Sequence, residues 1–155
     1  ICGLMMSLRS LGIKHDDEII VPTFTHMGSV SCVNLVGGKP IFVDVEKETY
    51  NIDPSKIEEK ITTKTRAIIP VHLLGLPADM DPIIEIAKTY RLSIVEDSCE
   101  TMFATYKGRK VGSMGDIGCF STYVAHFIVT GVGGFSITNN SMNWWTGYLS
   151  TYPKK

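Results

Sequence analysis

The sequence has no excess of basic residues, and this absence argues against one broad class of partner. The 15 lysines and arginines are balanced by 16 aspartates and glutamates, which leaves a formal charge of −1. Nucleic-acid-binding domains usually carry a clustered positive surface, so we expect no nucleic-acid partner. The apolar runs are too short to cross a bilayer, and no charged-then-apolar leader opens the chain. These features predict a cytoplasmic protein with no membrane partner.

Paired cysteines and clustered histidines are also missing. Cys2, Cys32, Cys99 and Cys119 are scattered along the chain and form no Cys-x-x-Cys motif. This distribution is typical of buried thiols in a reducing compartment, rather than of a disulfide framework or a zinc site. The four histidines are too dispersed for a metal cluster, so no metal is expected.

A glycine-rich nucleotide-binding turn is absent from the position where a dinucleotide-binding oxidoreductase would need it. No Gly-x-Gly-x-x-Gly follows the first expected strand, and the glycine-rich segment 130–134 comes far too late in the chain. This absence argues against an NAD-dependent enzyme. The composition is 44% hydrophobic and 20% charged, which is ordinary for a globular protein of one core.

Short apolar runs alternate with helical patterns along the chain. The expected strands lie near 18–21, 41–45, 67–71, 93–97, 117–121 and 134–138. The expected helices are an amphipathic one from the first residues to Leu11, one over 26–36 with Thr25 as N-cap, one starting at Asp53-Pro54, and one starting at Asp79 or Asp81 and ending at Tyr90. A tight hairpin turn is expected at Tyr106–Arg109. Repeated strand–helix units predict an α/β fold with a mainly parallel sheet covered on both faces.

The segment from Ser93 to Asn139 concentrates the polar groups. The apolar strand over 93–97 ends in Asp97, and a second strand delivers Ser121, followed by His126 and a glycine-rich turn. Ligands of open α/β sheets gather at the carboxyl ends of the strands, so this pattern suits a small phosphorylated ligand. The alternative is that Asp97 only caps the next helix and that the glycines only make turns.

Eight motifs in collinear order, from Val21 to Ser121, are similar to one known family, and the resemblance covers nearly everything from Ile1 to Asn140. They are Val21-Pro22-Thr23-Phe24-Thr25, Gly38–Val45, Tyr50–Pro54, Ile69–Gly75, Pro77–Asp81, Val95-Glu96-Asp97, Gly108–Ser113 and Gly115–Ser121. Together they resemble the DegT/StrS family of pyridoxal-phosphate-dependent nucleotide-sugar aminotransferases. The resemblance implies a three-layer α/β/α sandwich like the large domain of fold-type I enzymes such as aspartate aminotransferase, with a mixed, mainly parallel sheet.

The resemblance also implies domain boundaries and partners. Residues 1–140 match a large domain truncated at both ends, whereas 141–155 form an atypical tail and the smaller C-terminal domain is absent. The expected partners are a nucleotide-sugar substrate, an amino donor such as glutamate and a second copy of the chain. The expected cofactor is pyridoxal 5'-phosphate or pyridoxamine 5'-phosphate (PMP).

The resemblance to the family also implies which residues bind the cofactor. Asp97 matches the aspartate that pairs with the pyridine nitrogen and keeps it protonated, which favours carbanion chemistry. Ser121 matches the residue whose hydroxyl binds the cofactor phosphate. Cys2 and Gly3 fall in the first helical turn, where free N–H groups favour an anion.

Two of the cofactor-binding positions depart from the family pattern. His26 falls where an aromatic side chain usually stacks on the cofactor ring, and the alternative is a surface histidine at a helix start. Glu100 replaces a common glutamine near the ring hydroxyl, and the alternative is a solvated glutamate in a helix.

His126 is the departure that matters most. The aminotransferases of the family have a lysine there, which bonds covalently to the cofactor. Imidazole cannot make that bond but can act as a general base near neutral pH. The sequence therefore resembles the 3-dehydratase branch, in which a histidine replaces the lysine and a 4-keto nucleotide sugar loses its 3-hydroxyl. The alternatives are an aminotransferase that uses another lysine, with Lys107 and Lys110 nearest in sequence, and a non-catalytic homologue.

Overall fold

The computed structural model describes residues 1–140, which form three α-helices and eight β-strands. The helices are α1 (Cys2–Ser10), α2 (Met27–Leu35) and α3 (Met80–Tyr90). The strands are β1 (Glu18–Pro22), β2 (Lys39–Val43), β3 (Thr65–Ile68), β4 (Ser93–Asp97), β5 (Thr105–Tyr106), β6 (Arg109–Lys110), β7 (Ile117–Ser121) and β8 (Gly134–Ile137). The expected tail, 141–155, lies outside the described residues.

Six strands form one sheet in the order β2-β1-β3-β4-β7-β8. Neighbouring strands from β2 to β7 are parallel, and β8 pairs antiparallel with β7. The expectation of a mixed, mainly parallel sheet is therefore confirmed. In register, Asp97 lies opposite Cys119, and Ser121 lies opposite Gly134. The carboxyl ends of β4 and β7 thus meet at the same edge of the sheet.

Alternate side chains of the strands enter two separate cores, because successive residues of a strand point to opposite faces. On one face, Leu4 and Leu8 of α1 and Val33 of α2 pack against Val95 and other strand residues. On the other face, α3 and the segment around Ile57 cover a second set of strand residues. Helices therefore cover both faces, and the architecture is the expected three-layer α/β/α sandwich.

Four strands differ from their expected limits. β1 includes Pro22 rather than ending at 21. β2 is Lys39–Val43 rather than 41–45, β3 is Thr65–Ile68 rather than 67–71, and β8 ends at Ile137. Polar Lys39 and Thr65 belong to strands because both pair with Glu18 of β1. Such pairing is set by the register of the sheet, which an apolar pattern does not reveal.

Two helix starts also differ. The N-cap of α2 is His26 rather than Thr25, because the Nδ1 atom of His26 accepts the N–H of Gly28 at 2.9 Å. The expected helix at Asp53-Pro54 is instead two short 3₁₀ turns, Pro54–Lys56 and Glu58–Lys60, although Asp53 caps the first as expected.

The β5–β6 hairpin was predicted correctly. Lys107 and Gly108 at its tip both have positive φ, as its two-residue turn requires. Asp81 at the start of α3 pairs with Lys107, at 2.6 Å, and with Arg109. These contacts fasten the hairpin to α3 and place it on the α3 side of the sheet.

Glu96 and His72 form a buried polar pair between β4 and the loop that follows β3. Both side chains are fully buried, with Nε2 of His72 3.0 Å from Oε2 of Glu96. Nδ1 of His72 accepts the N–H of Ala78 at 3.0 Å, so the ring proton lies on Nε2 and is donated to the carboxylate. The pair thereby joins three separate segments of the chain.

Backbone N–H groups donate the remaining hydrogen bonds to the Glu96 carboxylate. Its carboxylate accepts from Gly112 at 2.7 Å, Met114 at 2.6 Å and Gly115 at 2.5 Å. Burial alone would raise the pKa of Glu96, but the hydrogen bonds from His72 and the backbone outweigh it and hold this pKa below its ordinary value. The carboxylate is consequently ionised and fixes the loop 112–115 against the sheet.

Among the described residues, no helix is long and apolar enough to cross a membrane. Within the same residues, no group of three or more histidine, cysteine or acidic side chains is arranged to hold a metal ion.

We predict that Glu96→Gln weakens the fold and flattens its acid dependence. The folded-state pKa of Glu96 is depressed, so the unfolded chain binds more protons as pH falls through 4.5 and the wild type loses stability there. The amide cannot accept all four donors, so the substitution should cost about 3 kcal/mol at neutral pH. Urea unfolding between pH 3.5 and 7 measures both effects. Glu85→Gln, at an exposed position on α3, is the control. Equal slopes for wild type and Glu96→Gln would contradict the assignment.

Candidate active site

Asp97 is the central polar group at the carboxyl edge of the sheet. Its side chain is only 5% exposed. Oδ2 accepts a hydrogen bond of 2.7 Å from the hydroxyl of Ser29, and Oδ1 accepts a longer one of 3.3 Å from the backbone N–H of Cys99. A turn, not a helix, follows β4, so Asp97 is not the cap of a next helix. Its orientation is set instead by α2.

Among the described residues, Asp97 forms no ion pair with a lysine, arginine or histidine. Burial, and then the nearby Asp97 carboxylate, raises the pKa of Cys32 to about 12 and also raises the pKa of Cys99, so both thiols stay neutral. A buried carboxylate with spare acceptor positions and no cation suits a ligand that brings a positively charged N–H donor.

Ser121 lies on the neighbouring strand and on the same face as Asp97. Asp97 pairs in register with Cys119, and Ser121 is the next residue of β7 that faces the same way. The hydroxyl of Ser121 accepts the backbone N–H of Tyr123 at 3.2 Å, which leaves its own proton free to be donated. The structure thus brings Asp97 and Ser121 to one edge, on the side covered by α1 and α2.

The first turn of α1 lies over β8, which pairs with β7. A side chain added at Gly3 would come within 3.2 Å of the hydroxyl of Ser136, and Ser7 contacts the Cys119 thiol at 3.2 Å. No side chain caps the start of α1, and Cys2 is exposed. The free N–H groups of this turn and the Ser121 hydroxyl are the two kinds of donor that a phosphate requires.

His26 stands at the start of α2, whose next turn carries Ser29. Because Nδ1 of His26 accepts the Gly28 N–H, the ring is held in one orientation with its proton on Nε2. A side chain at Gly28 would lie 2.9 Å from that Nδ1, so glycine is needed beside the histidine. The ring is therefore fixed, as a stacking group must be, although its position against a cofactor stays a prediction.

Glu100 takes a role that the sequence did not suggest. It lies in the turn after β4, not in a helix, and its Oε2 accepts the N–H of Leu74 at 3.0 Å. Leu74 is itself in a left-handed backbone conformation with φ 49°. Glu100 therefore ties the loop after β3 to the turn that carries Asp97, and its expected contact with the cofactor stays a prediction.

His126 lies in the loop between β7 and β8. The base of this loop is closed by the hydroxyls of Thr122 and Thr130, 2.7 Å apart, and by the N–H of Thr122 donating to Gly133. Nδ1 of His126 is buried and has no hydrogen-bond partner among the described residues. The ring contacts Tyr123 edge-on, at 6.2 Å between centroids. This imidazole thus retains an unused proton-accepting or proton-donating nitrogen, and its approach to Asp97 stays a prediction.

Lys107 and Lys110, the lysines nearest to the site in sequence, differ in their side-chain contacts. Lys107 is bound to Asp81, and this hydrogen bond, together with that to Tyr106, raises the pKa of Lys107 above its ordinary range. A lysine held protonated in this way is a poor nucleophile. Lys110 is exposed on β6 of the same hairpin. The hairpin lies on the α3 side of the sheet, whereas Asp97 faces α2.

Comparison with known proteins gives the context of this geometry. The model of the DegT/DnrJ/EryC1/StrS aminotransferase family matches residues 2–146. The chain is 47% identical over 138 residues to GDP-perosamine synthase of Escherichia coli O157:H7, covering 89% of this chain and 38% of that protein. It is 42% identical over 138 residues to dTDP-3-amino-3,6-dideoxy-alpha-D-galactopyranose transaminase of Aneurinibacillus thermoaerophilus, again covering 89% of this chain and 38% of that protein. The chain thus spans a little over a third of the length of these relatives.

A solved structure agrees with the fold. NtdA from Bacillus subtilis, with bound cofactor PMP, superposes with a TM-score of 0.87 at 36% identity, covering 94% of this chain and 33% of that one. The expected fold class, that of the large domain of fold-type I pyridoxal-phosphate enzymes, is thereby confirmed. The chain belongs to the DegT/DnrJ/EryC1/StrS aminotransferase family.

Proposed function

We propose that the intact protein is a pyridoxal-phosphate-dependent enzyme that transfers an amino group to a keto nucleotide sugar. The observation that carries the proposal is Asp97, a buried carboxylate at the carboxyl edge of the sheet that has no ion-pair partner within residues 1–140, in a chain of this family. The names of the relatives support the substrate class, since one of them is a transaminase of a dTDP-linked amino sugar. Glutamate is the amino donor that we expect.

The described residues suit the expected cofactor. Asp97 would accept the protonated ring nitrogen, and Ser121 with the first turn of α1, at Cys2 and Gly3, would hold the phosphate. His26 would stack on the ring. The bound cofactor supplies an electron sink for carbanion chemistry, and Asp97 strengthens that sink by keeping the ring nitrogen protonated.

Transamination replaces dehydration as the favoured reaction. The sequence alone favoured a 3-dehydratase because His126 stands in the lysine position, but the family and the relatives compared here support the aminotransferase alternative. Lys107 is not a suitable anchor because it is protonated and bound to Asp81. Both reactions need a group that takes up and returns a proton, and the unpartnered Nδ1 of His126 is a candidate for that group.

Dehydration remains the second candidate because of His126 itself. Its buried Nδ1 has no partner among the described residues, so the ring is available as a base or acid. Imidazole cannot link covalently to the cofactor, which fits an enzyme that binds PMP without a covalent bond. The two candidates share the cofactor site and differ in the fate of the sugar.

A homodimer is the expected assembly, and the loop that carries His126 supports it. Tyr123, Val124, Phe127 and Val132 are all exposed in this loop, and Val132 is 85% exposed. Contiguous exposed apolar side chains are typical of interaction surfaces. A second copy would cover them beside the candidate site, in the cytoplasm where nucleotide sugars are expected.

The products distinguish the two reactions. We expect the full-length protein, given PMP, glutamate and a 4-keto nucleotide sugar, to form an amino sugar together with one equivalent of 2-oxoglutarate. Mass spectrometry of the sugar and an enzymatic assay of 2-oxoglutarate measure both. In a control without glutamate, amino-sugar formation should stop after one turnover per bound cofactor. Loss of the 3-hydroxyl without nitrogen incorporation would replace the proposal by the dehydratase candidate.

Because His126 cannot bond covalently to the cofactor, we predict that the cofactor is bound non-covalently. Borohydride treatment of the wild-type protein with pyridoxal phosphate should leave no cofactor mass on any peptide, whereas His126→Lys should retain it on the peptide containing residue 126. His126→Asn should keep cofactor binding and lose about 10²–10⁴ in rate, the usual contribution of a general base. His15→Asn, at an exposed position, is the control. A label on a wild-type lysine would show that another residue is the anchor and would remove His126 from this role.

A further inference from the structure

Asp97 is held by a chain of two hydroxyl groups from the start of α2. The hydroxyl of Thr25 donates to that of Ser29 at 3.1 Å, and Ser29 donates to Oδ2 of Asp97 at 2.7 Å. Ser29 is 2% exposed and Thr25 is half-buried. The loop over 22–27 that delivers Thr25 also delivers His26, so one short segment carries both a candidate stacking ring and the support of the carboxylate.

We propose that Ser29, oriented by Thr25, is a positioning residue that holds the Asp97 carboxylate aimed at a cationic ring nitrogen. This inference rests on the proposed function, because it assigns the ring nitrogen of pyridoxamine phosphate as the partner of Asp97. Ser29 acts through Asp97 and does not itself contact the cofactor in this role. The ligand class it serves is a protonated pyridine.

The direction of the two hydrogen bonds supports this role. A serine hydroxyl has one proton, and accepting from Thr25 leaves that proton for Asp97. Hydrogen bonds in such a chain strengthen one another in a buried environment. Oδ2 is thereby satisfied by a charge-assisted bond, whereas Oδ1 has only the 3.3 Å contact with the N–H of Cys99. Oδ1 is the oxygen left with capacity for a new donor.

The surrounding side chains offer no substitute for Ser29. The charge of the Asp97 carboxylate acts on the thiols of Cys32 on α2, Cys99 in the following turn and Cys119 on β7. Burial keeps these thiols neutral, and Cys32 donates to the backbone oxygen of Ser29 rather than to the carboxylate. Without the Ser29 hydroxyl, Oδ2 would be a buried acceptor with no donor among the described residues, which favours a rotated carboxyl group.

The test compares two cofactor probes in the full-length protein. Pyridoxamine phosphate has the ring nitrogen, and 1-deaza-pyridoxamine phosphate has carbon in its place. We expect Ser29→Ala to weaken binding of pyridoxamine phosphate about tenfold, the usual effect of losing a hydrogen bond to a charged group. Binding of the deaza probe should change less than twofold. Isothermal titration calorimetry measures both dissociation constants. Equal weakening for the two probes would overturn the proposal, because a general loss of structure affects both.

If Ser29→Ala folds poorly, variants at Thr25 test the same chain of hydrogen bonds. Thr25→Val removes the hydroxyl at nearly constant volume and should weaken pyridoxamine phosphate binding about threefold, whereas Thr25→Ser should match the wild type. Ser31→Ala, on the same helix, is the control and should have no effect. Unchanged binding in both Ser29→Ala and Thr25→Val would overturn the positioning role while leaving the proposed function intact. A wild-type protein that binds neither probe would instead overturn the proposed function, and this inference with it.

Discussion

Two adjacent buried carboxylates at the end of β4 determine how this chain is organised. Because side chains alternate along a strand, Glu96 enters the α3 side of the sheet and Asp97 enters the side of α1 and α2. Glu96 is saturated by His72 and three backbone N–H groups. Asp97 has one strong donor, Ser29, and one weak one. The first carboxylate therefore stabilises the fold, and the second retains capacity for a ligand.

The two roles depend on each other through the backbone. The N–H of His72 donates to the carbonyl oxygen of Asp97, and the N–H of Asp97 donates to Pro70. His72 thus binds Glu96 with its side chain and Asp97 with its main chain. Glu100 adds a second tie by accepting from Leu74 in the same loop. The segment after β3 is consequently fixed against the site from two directions, which pre-organises the edge of the sheet where Asp97 lies.

The sequence predicted the elements of this fold better than their limits. Apolar runs located β1, β4 and β7 because these strands lie inside the sheet, where burial on both faces demands apolar residues. Strands β2 and β3 each begin two residues earlier than expected, since their pairing with β1 begins at polar Lys39 and Thr65. The cap of α2 was assigned to Thr25 by residue preference, but in the structure the Thr25 hydroxyl binds Ser29 and His26 caps the helix. Residue preference alone does not reveal such local competition for one hydroxyl.

The same limit applies to the candidate site. The position of Asp97 at a strand end could be read from the sequence, because strand ends converge in parallel sheets. Ser29 and His72 could not, since their partners Asp97 and Glu96 are distant along the chain and no short motif joins them. Glu100 was assigned to the cofactor from its alignment position, whereas the structure engages it with Leu74. The long-range hydrogen bonds of the site thus could not be predicted from the sequence and were found only in the structure.

His126 shows why family membership and reaction type are separate questions. The sheet, the Asp97 carboxylate and the Ser121 hydroxyl are features of the scaffold, and they serve any reaction that needs the same cofactor. The choice of reaction depends on the group that moves protons beside that cofactor, and here this group is proposed to be an imidazole rather than an amine. An imidazole exchanges protons readily near neutral pH but forms no covalent link. His126 lies in a loop whose base is closed by a hydrogen bond between Thr122 and Thr130. The identity of this one side chain can therefore change how the cofactor is retained without altering the fold of the protein.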